Sequence, residues 1–174
     1  HSTMVHQIVA GGFMRRRCWI IIGEHKVRKS SVARSLLGVD DPRSYAEAET
    51  VSGLRFRIHP CISAYQERNK TPDDMIDELD EKPNDEAKEQ LDDHHFRNAL
   101  VVLRYDRLKN YPHGKEYVER LLKEGWEIEA IISLNIPCPA WVRDSGIPNL
   151  DILNVADLTS RDIARQVRQA IGWK

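Results

Sequence analysis

The sequence predicts an α/β domain of three layers, α/β/α, built on a mainly parallel five-stranded sheet. Short apolar runs that end at glycine or charge, Cys18–Gly23 and Ala99–Leu103, have the composition of strands buried on both faces. Amphipathic segments of helical period alternate with such runs, which is the order that parallel strands joined by crossovers require. The 174 residues suit one ordinary domain, and no internal repeat or low-complexity linker divides them. Residues 1–174 are therefore read as a single domain, with His1–Thr3 ahead of Met4 set aside as an expression remnant.

Each element has a local reason. After Cys18–Gly23, Ser30–Leu37 places Val32, Ala33, Leu36 and Leu37 on one side and stops at Gly38. Residues 43–50 are expected to add a short helical turn. Leu54, Phe56 and Ile58 alternate with Arg55, Arg57 and His59, so 54–59 is expected to be a strand with one wet face. Thr71-Pro72-Asp73-Asp74 starts a helix reaching about Leu79: a capping hydroxyl, a proline in the first turn and acids at the positive end. Lys82-Pro83 breaks it, and Asn84 caps a second helix reaching about Phe96. This acidic pair, at about 71–96, is read as a helical insertion or lid. Ala99–Leu103 follows as a strand, then a helix over Lys115–Lys123 and a strand over Glu127–Leu134. A proline-rich loop leads to a short strand over Asp151–Val155. Thr159-Ser160-Arg161-Asp162 then caps a last helix that carries Ile163, Val167 and Ile171 at i, i+4 and i+8.

Composition narrows the function classes. Hydrophobic residues are 41%, charged residues 30% and the formal net charge is −1. That balance gives no bulk electrostatic reason to bind nucleic acid or a membrane. Cys18–Ile22 is far short of the roughly 20 residues of a membrane span, and the arginines at 15–17 follow the N-terminal apolar patch, the reverse of a secretory signal. Three scattered cysteines without a CxxC pattern predict a reducing, cytoplasmic setting. The charge is nonetheless polarised. Residues 15–34 hold seven Lys and Arg against Glu24, whereas residues 67–93 hold twelve acids against four bases. The basic block is either a solvated face or an anion site, and the acidic helices are a candidate protein-facing surface. Arg15–Arg17 lack interleaved aromatics and are read as a solvated lead into the first strand rather than a nucleic-acid contact.

Ligands of open parallel sheets sit at the C-terminal ends of the strands, which directs attention to Gly23–Ser31, His59–Tyr65, Arg104–Arg107 and Asn135–Arg143. Gly23-Glu24-His25-Lys26-Val27-Arg28-Lys29-Ser30 follows a buried strand and opens a helix. This stretch resembles the Walker A loop, GxxxxGKS/T, of P-loop NTPases, with Arg28 where the pattern has its last glycine. KSSVARSLLG after it is similar to the first helix of small P-loop kinases, and LDILNVADLTSRDIARQV to their last strand and helix. Together these matches cover about a third of the chain.

The resemblance implies a degenerate phosphate-binding loop formed by Gly23, Glu24, His25, Lys26, Val27, Arg28, Lys29, Ser30 and Ser31. In an active member, ATP and Mg2+ would be the cofactors. Lys29 would hold the outer phosphates, Ser30 and Asp106 the metal, and Arg28 or Arg143 would offset developing charge, with Arg68 a further candidate. Trp141 would either stack on a base or fill the gap between loop and core. The departures separate fold from activity. Arg28 adds a Cβ and a cation where backbone should approach phosphate, Glu24 repels phosphate, and Arg104-Tyr105 interrupt the apolar lead into Asp106. Two functions stay open: a non-catalytic interaction module that binds a nucleotide or phosphorylated small molecule, and a kinase transferring the γ-phosphate. His59, Cys61, His94 and His95 lack metal-ligand spacing, and a Cys61–His59 pair has no evident orienting acid.

Overall fold

The computed structural model describes residues 15–38, 46–81 and 96–174. The strands are β1 (Arg15–Gly23), β2 (Ala46–Glu49), β3 (Arg55–Pro60), β4 (Phe96–Arg104), β5 (Glu127–Leu134) and β6 (Asn149–Ile152). The helices are α1 (Lys29–Leu37), α2 (Pro72–Glu81), α3 (Gly114–Lys123), α4 (Ala140–Ser145) and α5 (Ser160–Ile171). Short 3-10 turns span Gln66–Arg68 and Val155–Asp157.

Among the described residues the sheet has six strands, not five, in the order β2-β3-β4-β1-β5-β6. All neighbours are parallel except β2, which runs antiparallel to β3 at the edge. The sixth strand corrects the helical turn expected at 43–50. Ala46-Glu47-Ala48-Glu49 pairs with Phe56 and Ile58 through Ala48 and Ala46, and those contacts override the helix preference of Ala and Glu. Of 43–50, residues 43–45 lie outside the described residues.

β1 is paired on both sides, by β4 and β5, which explains why Cys18–Ile22 is apolar without alternation. Two differences come from turns the sequence reading did not resolve. The last strand lies at Asn149–Ile152, and Val155 belongs to a 3-10 turn rather than a strand. The proline-rich loop contains α4, entered through Pro139 in an extended conformation. The expected caps are present: Gly38 closes α1 in the left-handed region at φ 67, and the Thr159 hydroxyl accepts the Asp162 amide at 3.0 Å.

α1 packs against α5, and α2 against α3. The chain leaves β1 toward β3 and leaves β4 toward β5, so right-handed crossovers put α1 and α3 on opposite faces. This arrangement is compatible with three layers. Under α1 and α5 the core includes Trp19, Phe56 and Trp173, whose ring centroids lie 5.0–5.7 Å apart.

α2 is a helix of the core, not of a lid over it. Met75, Ile76 and Leu79 are buried, and Thr71 and Asp74 cap its start reciprocally at 2.9 and 3.1 Å. The second acidic helix expected from Asn84 falls largely on 82–95, outside the described residues, and Phe96, its expected last residue, begins β4. Arg15–Arg17 are part of β1 rather than a solvated lead. Arg15 pairs with Glu127, Arg16 donates to the Glu124 carbonyl over the Trp126 ring, and Arg17 donates to Asn98. No described helix is long and apolar enough to cross a membrane.

Candidate functional site

β1 and β4 are neighbours whose onward connections diverge, so their C-terminal ends form the topological switch point of the sheet, where a crevice for ligands is expected. The Tyr105 amide donates to the Gly23 carbonyl at 2.9 Å and ties the two strand ends together. Glycine is required nearby on steric grounds. A Cβ on Gly23 would lie 2.7 Å from Val27 Cγ2 and 3.0 Å from the Leu134 carbonyl oxygen, and one on Gly114 would lie 2.5 Å from the Arg104 carbonyl oxygen.

From Gly23 the chain turns through the exposed residues Glu24, His25 and Lys26 into α1. Lys26 and Arg28 adopt left-handed conformations, at φ 66 and φ 64. Arg28 thus keeps the backbone geometry that glycine supplies at no steric cost, and a non-glycine residue pays about 1 kcal/mol for it. The Arg28 guanidinium donates to the Val155 carbonyl and, at 2.7 Å, to the Leu158 carbonyl. It anchors the turn before α5 and is not gathered with Lys29, which separates it from the charge-offsetting role expected of it.

Lys29 is only 4% exposed, and its Nζ donates to the Glu24 carbonyl at 2.7 Å. The ammonium therefore folds back under its own loop. Burial lowers its pKa, and the Glu67 carboxylate, 3.8 Å away, opposes that shift. Ser30 and Ser31 are half-buried in the first turn. The helix ladder begins with the Val32 amide on the Arg28 carbonyl at 3.0 Å, so the amides of Lys29, Ser30 and Ser31 have no intrahelical acceptor.

Asp106 lies just beyond β4. Its carboxylate accepts from Arg104 Nη2 at 2.6 Å and from Nε at 3.3 Å, and this bonding holds its pKa below the usual carboxylate value. The Lys29 charge contributes to the same lowering, so Asp106 and Lys29 share one electrostatic environment. Arg143 is elsewhere engaged: exposed, it donates to the Cys138 carbonyl within its own loop. Trp141 is partly buried and packs against the core, in keeping with the gap-filling role.

Two residues the sequence reading missed complete the site, both from the turn after β3. Gln66 is fully buried; its Oε1 accepts the Arg104 amide at 3.0 Å, and its Nε2 donates to the Arg104 and Pro112 carbonyls at 3.0 and 3.2 Å. Glu67 faces Lys29 and, at 3.5 Å, His25 Nδ1. The strand-end rule pointed as far as Tyr65, two residues short of Glu67, and no local pattern marks either residue.

The chain matches no protein-family model, no curated protein and no solved structure at a significant level.

Behind the turn lies a second polar cluster. The buried Glu78 carboxylate accepts from Tyr65 at 2.8 Å and from Arg68 at 3.0 and 3.2 Å, and it lies 2.9 Å from His59 Nε2. Burial alone would raise its pKa, but these bonds and the Arg68 charge hold it far below the carboxylate range. Glu78 supplies the acid partner of His59 that the sequence did not reveal. Cys61 is not activated by it: the thiol bonds the Ser63 carbonyl at 3.2 Å, and burial pushes its pKa up. Arg68 is committed to Glu78 and to the Tyr65 ring, 4.5 Å from its centroid. Among the described residues no group of three or more His, Cys, Asp or Glu is placed to hold a metal ion. His94 and His95 lie outside the described residues.

A cleft of about 290 Å³ opens at the far end of α1, between Leu37, Glu49, Arg55, Arg168 and Trp173. Arg168 caps the Ser35 and Leu36 carbonyls and Lys174 pairs with Glu49, so these three wall charges already serve the fold.

Proposed function

We propose that this chain is a P-loop-like domain with a degenerate loop, binding a nucleotide or another phosphorylated ligand weakly at Gly23–Ser31 and acting as a non-catalytic module. The observation that carries this reading is Lys29, buried beneath the turn that joins the central strand to α1, at the switch point of the sheet. A phosphate there would take hydrogen bonds from the ammonium and from the amides of the first turn of α1.

Three features favour binding without turnover. Arg28 is tied to the Val155 and Leu158 carbonyls, Asp106 to Arg104, and Glu67 stands beside the one buried ammonium of the loop. The transfer reading, a kinase using ATP and Mg2+, draws on the Lys29 charge, which adds to the lowering of the Asp106 pKa, and would need Asp106 to leave Arg104 for the metal. The described part of the acidic region leaves Asp73 and Asp77 exposed on α2, the side available to a protein partner.

Calorimetric titration with ATP and magnesium, beside an assay of phosphate release, tests this reading. We expect weak saturable binding without turnover, tightened in Arg28→Gly, where backbone approaches phosphate without a Cβ. That variant also loses two guanidinium anchors, to the Val155 and Leu158 carbonyls, which outweigh the left-handed strain it relieves, so it should unfold more easily by about 1 kcal/mol. Turnover by the native chain contradicts the non-catalytic reading, and absence of binding in both chains contradicts the site itself.

A further inference from the structure

We propose that Glu67 is the resident counter-ion of Lys29, an autoinhibitory carboxylate that an incoming phosphate must displace. This rests on the reading of Gly23–Ser31 as an anion site.

The geometry isolates Glu67 as the loosely held residue in a firmly held turn. Gln66, before it, is locked by three hydrogen bonds to Arg104 and Pro112. Arg68, after it, is locked by two bonds to the buried Glu78 carboxylate. The Tyr65 amide also bonds the Val102 carbonyl at 3.1 Å, which fixes the turn against β4. Between these anchors the Glu67 carboxylate makes only longer contacts, 3.8 Å to Lys29 Nζ and 3.5 Å to His25 Nδ1. Its side chain is 27% exposed, so water reaches it and it can swing outward without unfolding the turn.

The charge balance points the same way. Arg28 and Arg104 are satisfied by carbonyls and by Asp106, which leaves Lys29 as the buried cation facing the loop. With Glu67 beside it, Lys29 offers a phosphate little net positive charge. When Glu67 turns away, the ammonium exchanges one oxyanion for another and stays paired. The contact therefore sets affinity by competition, and it keeps a buried ammonium from standing unpaired when the loop is empty.

Titration of the native chain, Glu67→Gln, Glu67→Ala and Lys29→Ala with ATP and magnesium tests the proposal. Both Glu67 variants should bind about fivefold more tightly than the native chain, the worth of one partly exposed ion pair, and Lys29→Ala should bind ATP at least about tenfold more weakly. Equal or weaker binding by both Glu67 variants overturns the counter-ion role while leaving the anion site standing. If none of the four chains binds ATP, the anion site falls. A ligand-free readout then decides the pairing separately. After methylation of the lysines with 13C-formaldehyde, Lys29 should titrate at lower pH in Glu67→Gln than in the native chain, and an unchanged titration overturns the contact.

Discussion

Glu78→Gln should destabilise the fold by about 2–4 kcal/mol, because it removes the carboxylate that, among the described residues, neutralises Arg68 in a largely buried network. The amide keeps the shape of the side chain, but its nitrogen then meets donors from Tyr65 and Arg68, which leaves buried polar groups unpaired. The same residue makes an acid-sensitive contribution with a definite sign. Its folded pKa is depressed far below the unfolded value of about 4.3. Its stabilisation is thus complete above that value and is lost as pH falls toward the folded pKa. Urea unfolding of both chains should show the largest gap near neutrality, and the gap should narrow as pH falls below about 4.3. A gap that is small at pH 7, or independent of pH, contradicts the network described for Glu78.

Lys29→Ala should cost at least about tenfold in affinity for ATP, and up to about a hundredfold, the usual worth of a charge-assisted hydrogen bond to phosphate. Its effect on stability should be small, within about 1 kcal/mol. The ammonium is already disfavoured by burial, and its direct partners are a single carbonyl and a carboxylate at 3.8 Å. The two readouts separate a binding residue from a structural one. Calorimetry should report the loss of affinity while thermal unfolding stays near the native midpoint. A large loss of stability with unchanged binding would assign Lys29 to the fold alone.

Much of the sheet was legible because its central strand obeys one simple rule. A strand flanked on both sides and covered on both faces must be apolar throughout, and Cys18–Ile22 is. The loop and helix after it were legible from glycine, lysine and serine spacing, and the caps at Thr71 and Thr159 from their hydroxyls. β2 was not legible. Ala-Glu-Ala-Glu satisfies a helix as well as a strand locally, and only pairing with Phe56 and Ile58 decides between them. α4 was hidden by the prolines around it, although Pro139 stands where a helix can begin.

Of the candidate site, only the stretch that is contiguous in sequence was legible. Lys29, Ser30 and Ser31 come from one contiguous stretch, whereas Gln66, Glu67 and Glu78 reach their partners across 38 residues or across separate elements, and no local pattern records such distances. Arg28 shows the converse. Its letter suggested a phosphate cation, but the turn at 155–158 offers carbonyls that claim the guanidinium. Which role a loop cation takes is settled by the tertiary acceptors around it.

Phosphate binding by Gly23–Ser31 around Lys29 is the proposal on which the other binding predictions depend. It is tested most directly by following the backbone amide resonances of the 15N-labelled chain during titration with ATP and magnesium. Saturable shifts should concentrate on Gly23–Ser31 and on Glu67, and at the same ATP concentrations they should be much reduced in Lys29→Ala. Shifts confined to other parts of the chain, or the same shifts persisting in Lys29→Ala, would contradict it.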